Sequence, residues 1–339
     1  MITDIDSLPW LSDSWHRLVQ RWQEGRLPHA ILLEGRNGIG KDVFAQELAR
    51  RLVCEGSGEA AKPCGHCKQC ELVAAGSHPD IRTYRPEDSK VIKVDQVRAL
   101  GDFAVASPQV ARNKVIILDS ADQLNINSAN ALLKTLEEPN PDVTLILLQQ
   151  AGKPLLPTIR SRCQSTLLGG PSMDDAAEWL VRSVAGDEAV EADERAMERA
   201  LQLSGGAPLL ARRYLDEGYV AAVDQCLADF RQFLKLKLAP EDAAKPFVKL
   251  GLENSLDLMA GWAADLARIS VGGAATDAAM ADVLGFLAQQ NPPHRAHDIL
   301  AQLTESRAGL SYNLNPELEI ERLLLQWLAL MPRKRRRAG

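Results

Sequence analysis

The run AILLE at 30–34, the glycine-rich Gly35-Arg36-Asn37-Gly38-Ile39-Gly40-Lys41-Asp42 and the stretch FAQELARRLVC at 44–54 decide the fold class. A short apolar run bounded by glycine reads as a buried strand. Phe44, Leu48 and Leu52 recur every four residues and read as one face of a helix. Between them lies the context of a phosphate-binding loop. Gly35, Gly38 and Gly40 let backbone N–H groups turn inward, the helix N-terminus adds positive potential, and Lys41 reaches the terminal phosphates. Asp42 departs from that chemistry, because a Ser or Thr hydroxyl should ligate Mg²⁺ there and a carboxylate sets negative charge beside the phosphates. Two readings stand: a loop kept for packing, or weak nucleotide binding.

Working outward, KVIILD at 114–119 and VTLILL at 143–148 predict further strands, and SANALLKTLEE at 128–138 predicts a helix with Ala129, Leu132, Leu133 and Leu136 on one face. Strands alternating with helices indicate an α/β domain with a parallel sheet. Asp119, at the end of its run, suits Mg²⁺ held through water. Ser120 follows it, where a nucleotide hydrolase needs a glutamate to orient water, and a serine is no such base. Asp122 reads as a solvated residue leading a helix. Past Gly169-Gly170-Pro171 the strand-like runs stop. Ser172 with Asp175 reads as a helix cap, Ser204-Gly205-Gly206 as a helix end and Asn291-Pro292-Pro293 as an interruption. At 339 residues the chain exceeds one core. The expected organisation is an α/β domain at 1–168, a small helical lid at 169–214, an all-helical domain at 215–330 and a basic tail at 331–339.

The net charge is -6, and subtracting the five cations Arg333, Lys334, Arg335, Arg336 and Arg337 leaves -11 on the rest. A body that acidic is poorly suited to gripping nucleic acid unaided. The start, MITDIDSLPW, has no basic region leading an apolar one, and no apolar run is long enough for a bilayer, so a cytoplasmic location is expected. In that setting clustered thiols read as metal ligands. Cys54, Cys64, Cys67 and Cys70 are spaced C-x9-C-x2-C-x2-C around Pro63 and Gly65, a tight knuckle fit for Zn²⁺. With four sulfurs filling the coordination, the role expected is structural. An iron-sulfur cluster is the alternative. His66 reads as a bystander, and Cys163 and Cys226 as core thiols.

Several segments together point to a family. NSANALLKTLEEP at 127–139 and Thr158-Ile159-Arg160-Ser161-Arg162-Cys163 resemble the signatures of bacterial clamp-loader subunits of the AAA+ class. Leu27-Pro28-His29-Ala30, Ser77-His78-Pro79-Asp80 and Asn313-Leu314-Asn315-Pro316-Glu317-Leu318 are similar to the same family, so the resemblance spans 27 to about 328. It implies a AAA+, P-loop NTPase-like sheet domain, a helical lid and an all-α collar domain. The ATPase motor subunits of that family (gamma or tau) carry Ser or Thr in place of Asp42, Glu in place of Ser120, a Thr sensor where Gln149 or Gln150 stands, and a sensor arginine where Pro208 aligns. The resemblance therefore implies a subunit of DNA polymerase III that does not hydrolyse ATP alone and supplies Arg162 in trans to the nucleotide of a neighbouring motor subunit. Its implied partners are the motor and delta subunits in a pentameric arc, and through them the sliding clamp and primed DNA. Collar contacts are expected along 318–330, through Leu318, Leu323, Leu324, Trp327, Leu328 and Leu330. Two other readings make different demands: an active AAA+ ATPase using Lys41, and a zinc-containing nucleic-acid binder using the basic tail.

Overall fold

The computed structural model describes residues 4–56, 61–87, 91–185, 193–310 and 314–332. Asn313 and the tail cations 333–337 lie outside them. Two compact units are present: 1–183 with 206–211, and 184–205 with 212–339.

In the first unit the order is α1 (Ser12–Gln23), β1 (Ala30–Gly35), α2 (Lys41–Val53), α3 (Lys68–Ala74), β2 (Ile81–Tyr84), α4 (Val94–Val105), β3 (Lys114–Leu118), α5 (Ile126–Glu137), β4 (Val143–Gln150), α6 (Pro157–Arg160), β5 (Gln164–Leu167) and α7 (Met173–Val184). The five strands are all parallel in the order β2-β3-β4-β1-β5. This is the expected α/β AAA+ sheet. The three strands read from the sequence hold its interior, where both faces are buried and side chains run apolar without alternation. Ile31, Leu32 and Leu33 of β1 are all fully buried. Leu32, Ile116, Leu145 and Leu147 join Leu100 and Phe103 of α4 and Leu132 and Leu136 of α5 in one core. Alternation along the strands turns Ile31, Ile117 and Ile146 to the opposite face, and α2 lies against β1, β3 and β4. Helix starts carry local chemistry as well. The Asn125 side chain accepts from the Ser128 N–H at 2.9 Å at the head of α5, and Ser172 Oγ accepts from the Asp175 N–H at 3.1 Å at α7.

The second unit is helical: α8 (Glu194–Ser204), the end of α9 (Pro208–Asp216), α10 (Tyr219–Leu234), α11 (Pro240–Leu250), α12 (Leu252–Ser270), α13 (Ala281–Gln290), α14 (His294–Gly309) and α15 (Pro316–Leu328). Gly205 ends α8 in the left-handed conformation, and Asn291-Pro292-Pro293 separates α13 from α14. Its core centres on aromatic rings meeting edge to face: Phe230 with Trp327 at 5.7 Å, and Phe247 with Trp262 at 6.1 Å.

One expectation needs correction here. Leu323, Leu324, Trp327 and Leu330 are buried in this unit's own core and are not surface available for a collar contact. Ile320, Leu323, Leu324 and Trp327 share the inward face of α15. Leu318 and Leu325, seven residues apart, lie on the other face and stand 64% and 48% exposed.

Candidate functional site

The phosphate-loop residues emerge between β1 and α2 as the sequence predicts. Gly38 and Gly40 adopt φ of 75° and 95°, a region that side chains rarely enter. Space gives a second reason for glycine, since a Cβ on Gly38 would come within 2.3 Å of Leu210 Cβ. The loop is bonded into its own unit. Lys41 Nζ donates to the Arg36 carbonyl at 2.7 Å, Leu209 N–H donates to the Gly38 carbonyl at 3.1 Å, and Trp10 Nε1–H donates to the Ile39 carbonyl at 2.9 Å. Pro208 opens α9 beside these bonds. Burial lowers the Lys41 pKa, opposed by the carboxylates of Asp42, Asp119 and Asp122. Asp119 is raised, first by burial and further by Asp42, against the Ser120 hydroxyl that donates to its Oδ1 at 3.2 Å. Ser120 itself is left-handed at φ 66°. Asp122, expected as a solvated residue leading a helix, sits in a 3₁₀ turn and accepts from the Gln150 N–H at 3.1 Å in an exposed bond that ties that turn to the end of β4.

The arginine-bearing segment at 158–163 splits its two arginines between different tasks. Arg160 makes a two-pronged pair with Glu34, both bonds at 2.9 Å, and donates to Gln149 Oε1 at 2.9 Å. Gln149 in turn donates to the Lys153 carbonyl at 2.7 Å. Gln149, one of the two residues at the expected sensor position, is thus absorbed into a network that joins β1, β4 and α6. Arg162 points elsewhere, its guanidinium 2.5 Å from Glu137 Oε1 at the end of α5 and 3.0 Å from the Thr158 carbonyl, with a side chain 36% exposed.

Cys54, just past the end of α2, meets Cys64, Cys67 and Cys70 in one cluster whose sulfurs all lie within 4.8 Å of one another. None of the six cysteines is in a disulfide. Zinc-sulfur bonds of about 2.3 Å in a tetrahedron set sulfur-sulfur edges near 3.8 Å. The Cys54–Cys67 and Cys64–Cys70 edges are 3.9 and 4.0 Å, so the four residues fit the ion. Backbone N–H groups aim at the sulfurs: Gly56 and Cys64 at Cys54 Sγ, 3.3 and 3.2 Å, and Cys67 at Cys64 Sγ, 3.4 Å. His66 stays outside the cluster, its Nδ1 2.7 Å from the Cys64 carbonyl oxygen. Of the two isolated thiols, Cys226 is fully buried in the helical core, whereas Cys163 is half-buried. Burial pushes them up to about 12 and about 11.

Sequence reading alone missed what Ser77-His78-Pro79-Asp80 does. Asp80, fully buried, accepts from the N–H groups of Gln109, Val110 and Ala111 at 2.7, 2.8 and 2.9 Å. Its own N–H donates to His78 Nδ1 at 3.1 Å, and His78 Nε2 meets Gln69 Oε1 at 2.9 Å. Gln69 donates onward to the Val110 carbonyl at 2.9 Å and to Glu55 at 3.0 Å. This chain fastens the cysteine knuckle to the 109–111 loop.

The family model described as DNA polymerase III, delta subunit, matches residues 10–171. The DNA polymerase III subunit delta' of Pseudomonas aeruginosa is 36% identical over 331 residues, covering 96% of this chain and 98% of that one. The delta' subunit of Haemophilus influenzae is 38% identical over 227 residues, 67% of each chain. Among solved structures, a DNA polymerase III gamma subunit-related protein of Thermotoga maritima aligns at 17% identity and TM-score 0.46, covering 92% of this chain and 97% of that one. The likeness to the Pseudomonas protein runs nearly end to end along both chains; the chain belongs to the family of DNA polymerase III delta' subunits.

Proposed function

We propose that this chain is a cytoplasmic clamp-loader subunit that acts as a fixed, largely non-hydrolysing member of a pentameric arc with motor (gamma or tau) and delta subunits. The arc would load the sliding clamp onto primed DNA. The observation that carries the reading is the self-bonded phosphate loop. Lys41 is turned onto the Arg36 carbonyl, the Gly38 carbonyl takes the Leu209 N–H, and Ser120 stands where a water-orienting base is needed. In this reading 1–168 is the AAA+ module, 169–214 a lid, 215–330 the collar domain and 331–339 a basic tail.

Arg162 would serve the motor subunit beside it, stabilising charge on the transferred phosphoryl. An arginine supplied in trans is worth on the order of 10³- to 10⁵-fold in rate. Its pairing with Glu137 favours a second reading, in which it only ties α6 to α5. That pair is at the surface, where such bonds contribute about 0–1 kcal/mol, so a desolvated phosphate outcompetes it.

Cys54, Cys64, Cys67 and Cys70 would hold Zn²⁺, which cross-links the end of α2 to α3 and leaves no position open for catalysis. Leu318 and Leu325 are the collar-facing apolar residues that α15 leaves outside its own core.

The isolated chain mixed with ATP and Mg²⁺ tests the non-hydrolysing reading. No turnover above buffer is expected, with Lys41→Ala indistinguishable from wild type. Robust turnover abolished by Lys41→Ala would overturn it and make the chain an active ATPase.

A further inference from the structure

We propose that Arg160 and Glu34 are positioning residues for Arg162: their two-pronged bond orients the turn that presents Arg162 to the nucleotide of the neighbouring motor subunit. The inference rests on the reading of Arg162 as an arginine supplied in trans.

An arginine acting on a neighbour's phosphoryl group faces a geometric demand. Its guanidinium must meet charge that develops only in the transition state, and a misplacement of about 1 Å costs about 10²-fold in rate. Arg162 does not meet that demand through its bond to Glu137, which must break when phosphate takes its place. Its aim comes from the backbone beneath it. That backbone is a tight turn: Ser161 N–H donates to the Pro157 carbonyl at 2.9 Å, Arg162 N–H to the Ile159 carbonyl at 3.0 Å and Cys163 N–H to the Arg160 carbonyl at 3.3 Å. These bonds fix the shape of 157–163 and leave its orientation on the sheet to be set by other contacts.

Two side chains of the turn supply those contacts. Ile159 is fully buried in the core formed with α4 and α5, an apolar anchor without direction. Arg160 supplies the direction. Its guanidinium meets both oxygens of Glu34 at 2.9 Å, a fork that sets angle as well as distance, and a third bond at 2.9 Å reaches the buried Gln149 of β4. Glu34 is a firm base for that fork. It lies on β1, which pairs with β4 on one side and β5 on the other, and its side chain is 16% exposed. Its carbonyl also accepts the Leu168 N–H at 2.7 Å just past β5. One residue thus grips the arginine-bearing segment before Arg162 through its side chain and after it through its backbone. The Arg160 side chain is 45% exposed, so the pair adds little to stability. What the fork adds is orientation.

The test measures assembly and ATP turnover by the complex of the full-length chain with motor and delta subunits. It compares wild type, Arg162→Ala, Arg160→Met, Glu34→Gln and the double variant Arg160→Met, Arg162→Ala. Arg160→Met keeps length and loses the fork. It should leave the complex assembled and lower kcat by nearly the share that Arg162→Ala removes, because a loss of about 10²-fold almost silences one site. The KM for ATP should stay at its wild-type value, since ground-state binding is untouched. Glu34→Gln, which keeps shape and loses charge and one acceptor, should lose part of that share. The double variant should match Arg162→Ala alone, as expected of a residue that acts only through another, whereas a general structural defect would add its own loss. Should Arg160→Met fail to fold, Glu34→Gln, alone and combined with Arg162→Ala, decides on the same criteria. Wild-type turnover for Arg160→Met beside a loss for Arg162→Ala, or an additive loss in the double variant, overturns the positioning role and leaves the arginine reading standing. Unchanged turnover for Arg162→Ala overturns that reading and this inference with it.

Discussion

Replacing Asp80 with asparagine should loosen the segment that joins α4 to β3, and the size of the effect follows from three bonds. The carboxylate accepts Gln109 N–H on one oxygen and Val110 and Ala111 N–H on the other, with no solvent to substitute. Asparagine keeps one acceptor oxygen. Placed to hold Val110 and Ala111, it turns its NH₂ toward the Gln109 N–H, donor against donor. Leaving that buried donor unmade costs about 1–3 kcal/mol, and the two retained bonds lose their ionic character. A local loss of about 3 kcal/mol is expected, which corresponds to roughly 100-fold faster amide exchange at 109–111 where exchange reports local opening. Hydrogen exchange followed by mass spectrometry measures this without assuming that both units unfold together. The pH dependence supplies a second arm. Burial by itself would raise the Asp80 pKa, but the three N–H bonds and His78 hold it below the ordinary carboxylate value. Its contribution is therefore complete above the unfolded value of about 3.9 and is lost as pH falls through the depressed folded value. The gap between wild type and variant should stay constant down to about pH 4 and close below it. Exchange at 109–111 unchanged within about threefold at neutral pH would refute the reasoning.

Two further outcomes follow from the helical unit. Trp327→Ala removes a fully buried ring packed edge-on to Phe230 and should cost about 3–5 kcal/mol, read as a lowered melting transition of that unit by calorimetry. The double substitution Leu318→Asp, Leu325→Asp touches only the exposed face of α15. It should leave the melting transition within about 0.5 kcal/mol of wild type while weakening co-elution with motor and delta subunits, and unchanged assembly would remove α15 from the collar.

The parts of this molecule legible in its sequence are those whose physics is local. β1, β3 and β4 lie inside the sheet, and burial on both faces writes them as unbroken apolar runs. β2 (IRTY) and β5 (QSTL) lie at the edges, where half-exposed polar residues erase the signal, and neither is visible beforehand. The cysteine cluster could be read because C-x2-C-x2-C spacing forces convergence within a few residues. The roles of Asp80 and Gln69 could not be, since the partners they fasten in the 109–111 loop stand 29 to 41 residues away in the chain. Glycine spacing marked the phosphate loop, and Asp42 and Ser120 marked its defects. That Leu209 bonds the Gly38 carbonyl is a long-range fact that no spacing encodes. For α15 the periodicity was plain, but an apolar stripe does not say whether it covers the chain's own core or a neighbour's.

The central claim is that this chain completes another subunit's nucleotide site and does not run its own. ATP turnover by the assembled complex of this chain with motor and delta subunits, compared between wild type and Arg162→Ala, tests it most directly. The account predicts intact assembly with turnover at the site facing this chain reduced by about 10³-fold or more, seen as loss of that site's share of the total. Turnover identical to wild type in a fully assembled complex would contradict it and leave Arg162 as no more than the partner of Glu137.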